Sequence, residues 1–150
     1  MKLWIDADGC PVVNIAVQLS KKYHISCTIV CDTAHQFLND HAEVITVDKG
    51  SDSADYAIAN RITASDLVIT QDFGLASMCL ARNARVLHQD GWEYTIYNID
   101  ALLLQRHESY KYRASGKRIK GPKKRTSEQD QAFATALQTI LQGYESGGNR

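Results

Sequence analysis

Short apolar runs alternate along this chain with segments of helical period, and that alternation limits the fold more than any other feature. Leu3-Trp4-Ile5, Cys27 to Cys31, Glu43 to Val47, Leu67 to Thr70 and Arg85 to His88 read as strands. Between them Pro11 opens a helix carrying Val12, Val13, Ile15, Ala16 and Leu19. After the turn Asp48-Lys49-Gly50, Ser51 or Asp52 caps a second helix with Tyr56, Ile58, Ala59 and Ile62, and Leu75 to Arg82 forms a third. Strand and helix in regular succession predict a three-layer α/β fold, a mostly parallel central sheet with helices on both faces.

Beyond His88 the pattern thins. Tyr94 to Tyr97 fits an edge strand, Ile99 to about Glu108 a helix, and Glu128 to about Gln142 another with Phe133, Ala136, Leu137, Ile140 and Leu141 on one face. The segment 111–125 has too little apolar content for the core and is expected to be a mobile basic loop. These elements make one domain over residues 1–142, followed by a flexible tail at 143–150.

No apolar run exceeds four residues, and an acid arrives at Asp6, too soon for a signal-peptide core. The expectation is a cytoplasmic protein with no membrane partner. The cysteines Cys10, Cys27, Cys31 and Cys79 contain no C-x-x-C pair and are expected to be free thiols. Net charge is zero, but in opposed blocks. Residues 1–110 hold 8 Lys and Arg against 14 Asp and Glu, whereas 111–125 hold 8 basic residues and no acid. Such asymmetry points to a polyanionic partner, with Lys111, Arg113, Lys117, Arg118, Lys120, Lys123, Lys124 and Arg125 as the nucleic-acid contacts and Tyr110 and Tyr112 as bases' stacking partners. The oligomeric state is left open, a homodimer included.

In an open parallel sheet, ligands bind beyond the carboxyl ends of the strands, where strand order reverses. Asp6 and Asp8 follow the first strand, Asp52 and Asp55 the third, and Asp72 the fourth, so all five fall on that edge. Gathered carboxylates repel one another unless a cation neutralises them, and all-oxygen ligands favour Mg²⁺ or Mn²⁺ over zinc. Each acid also has a structural alternative: Asp52 and Asp55 have capping-box spacing, Asp72 precedes a helix, and Asp8 precedes Gly9 in a turn. Asp6 has no helix start to cap. His35, in the loop after the second strand, shares the edge, whereas Asp66 precedes its strand and is expected to serve a turn or a cap at the opposite end.

Three blocks resemble the YaiI/YqxD family of uncharacterised bacterial proteins: Trp4 to Val12, Asp48 to Tyr56 and Ser65 to Asp72. Gly121-Pro122-Lys123-Lys124-Arg125 fits as well. The order of an acid after the first strand, an acid in a middle helix, and then an apolar strand with Thr-x-Asp is also similar to PIN and NYN nuclease domains. That resemblance implies a PIN-like fold, a Mg²⁺ or Mn²⁺ site and hydrolysis of RNA phosphodiesters. Under it Asp6, Asp55 and Asp72 match the catalytic, metal-binding acids, with Asp8 and Asp52 as additional ligands. The sequence departs from many PIN domains in having Phe73-Gly74-Leu75, and no further acid, just after Asp72.

Two other functions fit the same residues. Asp6-Ala7-Asp8-Gly9 resembles the haloacid-dehalogenase phosphatase motif, in which the first Asp is a nucleophile and the second a general acid; Cys10 departs from it. A non-catalytic RNA-binding module would retain the same acids and basic segment without turnover.

Overall fold

The computed structural model describes residues 1–32, 37, 40–50, 53–116 and 124–147. Its elements are β1 (Lys2–Asp6), α1 (Val13–Lys22), β2 (Ser26–Asp32), β3 (Glu43–Val47), α2 (Ser53–Ala59), β4 (Leu67–Ile69), α3 (Phe73–Ala81), β5 (Arg85–Leu87), β6 (Glu93–Tyr94), α4 (Ile99–Ala114) and α5 (Ser127–Gly147). The six strands form one sheet in the order β3-β2-β1-β4-β5-β6. All pairings are parallel except β5 with β6. The chain therefore winds outward from β1 to β3, returns to the middle, and winds the other way through β4 and β5. The order reverses between β1 and β4, which makes the carboxyl ends of these two strands the switch point.

Alternation along each strand sorts the core into two layers. Leu3, Ile5, Cys27, Ile29, Cys31, Leu67, Ile69 and Leu87 face α1 and α5, where Val13, Ala16, Val17, Phe133, Leu137 and Leu141 meet them. Trp4, Val30, Val68 and Val86 face the other way, against Ile58, Leu75, Ala76, Cys79 and Ile99 from α2, α3 and α4. Asp6, two residues beyond Trp4, points toward the α2, α3 and α4 side.

Helix α1 starts at Val13, with Val12 as its N-cap, rather than at Pro11, and α2 ends at Ala59, before Ile62. Three further boundaries differ from the sequence expectation, each for a local reason. The edge strand stops at Tyr94 because Thr95 and Asn98 turn the chain: Asn98 Oδ1 accepts the Thr95 amide at 2.8 Å, and Thr95 Oγ1 accepts the amides of Tyr97 and Asn98 at 3.2 Å each. Ile96 and Tyr97 are left exposed. Helix α4 runs on to Ala114, so Lys111 and Arg113 are helical rather than part of a loop. Lys, Tyr, Arg and Ala tolerate a helix without any apolar face, and the helix stops where Gly116 takes a positive φ of 87°. Helix α5 extends to Gly147, so the first five residues of the expected tail are helical. Thr126 and Gln129 form its capping box, the Thr126 amide donating to Gln129 Oε1 at 2.8 Å and the Gln129 amide to Thr126 Oγ1 at 3.3 Å. Near its far end the Tyr144 hydroxyl accepts from the N-terminal amino group at 2.6 Å, which holds the last turns on the body of the domain. Among the described residues no helix is long and apolar enough to cross a membrane.

Candidate active site

Beyond the carboxyl ends of the strands lies an open crevice of about 900 Å³, lined by Asp6, Asp8, Asp32, Asp55, Asp72 and the arginines Arg106 and Arg113, with Gly50, Ala54, Gln71 and Phe73 between them. Four of the five acids expected at this edge line it together. Asp52 and His35 lie outside the described residues.

The two central acids are joined through one hydroxyl. Thr70, almost wholly buried at the end of β4, donates from Oγ1 to Asp6 Oδ2 at 2.7 Å and accepts the Asp72 amide at 2.9 Å. Parallel pairing of β1 with β4 in the register Ile5 to Ile69 brings the following residues, Asp6 and Thr70, within reach of each other. Asp72 also caps α3: its Oδ1 accepts the amides of Gly74 at 2.8 Å and Leu75 at 3.2 Å. The capping alternative for Asp72 is therefore correct, and it coexists with a place in the crevice. Asp8 ties the ends of β1 and β2 together by accepting the Asp32 amide on Oδ2 at 2.9 Å. Gly9 follows with a φ of +71°, turning the chain away from the crevice toward α1.

Asp6 is electrostatically strained. Burial pushes its carboxyl from 3.8 to about 6; the Thr70 hydrogen bond works against that rise, and the neighbouring Asp72 and Asp8 add to it. Arg106 offers partial compensation, its Nη1 standing 3.8 Å from Asp72 Oδ1. The cysteines are free, as expected. Burial pushes the Cys10 and Cys27 thiols up to about 11, so both are protonated at neutral pH.

Among the described residues no three His, Cys, Asp or Glu side chains stand close enough to enclose an ion by themselves. The donor set nonetheless fits a Mg²⁺-type ion, which is commonly held by one or two carboxylates and keeps several waters. Asp6 and Asp72 would hold it directly, with Asp8 and Asp55 within the same crevice.

The basic segment divides. Lys111 and Arg113 are exposed on the last turns of α4, and Lys124 is exposed ahead of α5. Lys117, Arg118, Lys120 and Lys123 lie outside the described residues. Arg125, expected to contact nucleic acid, is instead tied inward. Its Nη1 meets Asp90 Oδ1 at 2.6 Å, Nε meets Asp130 Oδ1 at 2.6 Å and Nη2 donates to the Gln89 carbonyl at 2.7 Å. Three such bonds use most of a guanidinium's donors, so Arg125 clamps the β5–β6 turn to the start of α5. Sequence reasoning also missed Asp32 and Arg106. Asp32 could have been found, since it ends β2 as Asp6 ends β1; Arg106 carries no such signal, because only the packing of α4 brings it to the crevice.

Fold and site define a doubly wound α/β protein with an acidic crevice at its switch point. The chain belongs to the uncharacterised bacterial YaiI/YqxD family, whose profile matches residues 4–143. It is 48% identical over 141 residues to a UPF0178 protein of Exiguobacterium sibiricum, covering 94% of this chain and 96% of the relative. A UPF0178 protein of Alkaliphilus oremlandii is 47% identical over 137 residues, covering 91% and 88%. One from Bacillus cereus is 42% identical over 144 residues, covering 94% and 99%. No solved structure matches the chain at a significant level.

Proposed function

We propose that this protein is a Mg²⁺- or Mn²⁺-dependent nuclease acting on RNA phosphodiester bonds, in keeping with the likeness to PIN and NYN domains. The observation that carries the reading is the coupling of Asp6 and Asp72 through Thr70 at the switch point, in a crevice shared with Asp8, Asp32 and Asp55. Carboxylates gathered around an open crevice repel one another, and Asp6, raised mainly by its burial, is raised further by Asp72 and Asp8. A bound divalent ion supplies a water of lowered pKa and offsets charge building on the phosphate oxygens. Asp6 and Asp72 would hold such an ion, because each is itself held, Asp6 by the Thr70 hydroxyl and Asp72 by its cap on α3. The exposed bases Lys111, Arg113 and Lys124 then contribute affinity rather than chemistry.

Calorimetric titration with Mn²⁺ tests the ion: wild type binds, and Asp6→Asn/Asp72→Asn does not. Mn²⁺-dependent cleavage of single-stranded RNA, abolished by Asp72→Asn, tests the reaction. Metal binding that is identical in the double variant overturns the reading. A phosphorylated Asp6 trapped from a phosphomonoester would instead establish the phosphatase chemistry, in which Asp6 is the nucleophile. Among the described residues the cations lining the crevice are arginines, with no lysine beside Asp6 for that reaction. RNA binding with no turnover under any divalent ion would identify a binding module.

A further inference from the structure

Arg106 and Arg113 both line the acid crevice, and both come from α4. Seven residues apart, they stand on one face of the helix and are separated by about 10 Å along its axis. Tyr110, four residues beyond Arg106, shares that face and is 71% exposed. We infer that Arg106, Tyr110 and Arg113 form a docking rail for single-stranded nucleic acid, the arginines taking backbone phosphates and the tyrosine an unpaired base. The inference rests on the nuclease reading and names the form of its substrate.

The crevice has two sides of opposite charge. Carboxylates at the strand ends repel a phosphodiester, and the arginines lining the same crevice offer the charge that would hold a strand there. Arg106 is available for exchange: its contact with Asp72 is 3.8 Å long, and the two side chains are 61% and 36% exposed. A pair of that length and exposure contributes little. Asp72 Oδ1 already accepts two amides of α3, so its hydrogen bonding survives without the guanidinium. A phosphate offers Arg106 a bidentate partner that matches its planar fork better. An exposed tyrosine ring stacks on any base whose face is open, and duplex pairing closes those faces.

The test measures binding of a short labelled single-stranded RNA in chelator, where no divalent ion is present to support cleavage, across a salt series. The double variant Arg106→Ala/Arg113→Ala is expected to bind about tenfold or more weakly, with the log–log salt slope flattened by about 1.4, or 0.7 for each phosphate released. Arg106→Lys/Arg113→Lys should restore most of the slope, which separates loss of charge from loss of fold. Tyr110→Ala should weaken binding to the single strand with little change in slope, and should leave binding to a duplex of the same sequence unaltered. An unchanged slope in the double alanine variant overturns the rail, as does failure of the wild type to bind the single strand. Binding that follows these expectations with no cleavage in Mn²⁺ keeps the rail and removes the nuclease reading. Cleavage without dependence of binding on these residues does the reverse.

Discussion

Two aspartates sit at opposite ends of the same pair of strands, and their surroundings could hardly differ more. Asp66, just before β4, is 6% exposed and accepts three N–H groups: the Lys2 amide at 3.0 Å, the Trp4 indole at 3.1 Å and the Thr63 amide at 3.0 Å. Asp6, at the end of β1, accepts one hydroxyl and faces other carboxylates. At the amino-terminal edge the protein supplies donors to a buried charge until it is satisfied. At the carboxyl-terminal edge it surrounds a buried charge with like charges. The first arrangement holds β1 to the β4 turn; the second is a cost to folding that protonation relieves and that a bound cation would relieve, so burial alone does not set what an acid costs.

The contrast is broken most forcefully at Asp66. Replacing it with Ala leaves the Trp4 indole and two backbone amides without their acceptor and should destabilise the protein by about 3 kcal/mol. Chemical denaturation measures this; a change below about 1 kcal/mol would mean that water replaces the carboxylate freely at that edge. The prediction is the same with or without Mn²⁺.

Asp6→Asn should have the opposite sign. Because the folded-state value of about 6 lies above the ordinary 3.8, the native state holds its proton more tightly than the unfolded chain does. Wild-type stability therefore falls as pH rises from about 4 through 6, and ionised Asp6 carries the full penalty above that range. Asparagine keeps an acceptor for Thr70 and has no charge. In chelator at pH 8 the variant should be more stable by about 2 kcal/mol, with the gap closing below pH 4. Adding Mn²⁺ should raise the wild-type melting temperature and leave the variant's unchanged. A variant less stable than wild type at pH 8 in chelator would make Asp6 structural after all.

The positions of both aspartates were legible in the sequence, because each follows from which end of a strand the residue occupies. Asp66 precedes apolar Leu67-Val68-Ile69 and Asp6 follows Leu3-Trp4-Ile5, so strand direction alone assigns them to opposite edges. The parallel sheet and its two helical layers were legible for the same reason, period and order being local signals. What depended on tertiary packing was not. Arg125 and Arg113 are indistinguishable in a run of basic residues, yet Asp90 and Asp130 claim one while the crevice receives the other. The last turns of α4 have no apolar face to announce them, and the end of the edge strand is fixed by hydrogen bonds of Thr95 and Asn98 rather than by any loss of β-forming residues.

The smallest effect is the most discriminating, because it concerns the hydroxyl that donates to Asp6 among the described residues. Thr70→Val preserves shape and removes the hydroxyl that serves Asp6 Oδ2 and the Asp72 amide. Loss of the acceptor for the Asp72 amide costs stability at every pH, about 1 kcal/mol. Loss of the donor to Asp6 matters only when Asp6 is ionised, since that hydrogen bond holds the carboxyl below where burial alone would put it. The variant's Asp6 should therefore titrate above 6, and the difference from wild type should be larger at pH 8 than at pH 4.5. Carboxyl NMR of Asp6 follows the first effect and denaturation at the two pH values the second. Equal destabilisation at both would show that Thr70 serves the start of α3 alone and that the acids are set without it. A pH-dependent difference would identify Thr70 as the group that keeps Asp6 ionisable near neutrality, against the burial that raises it.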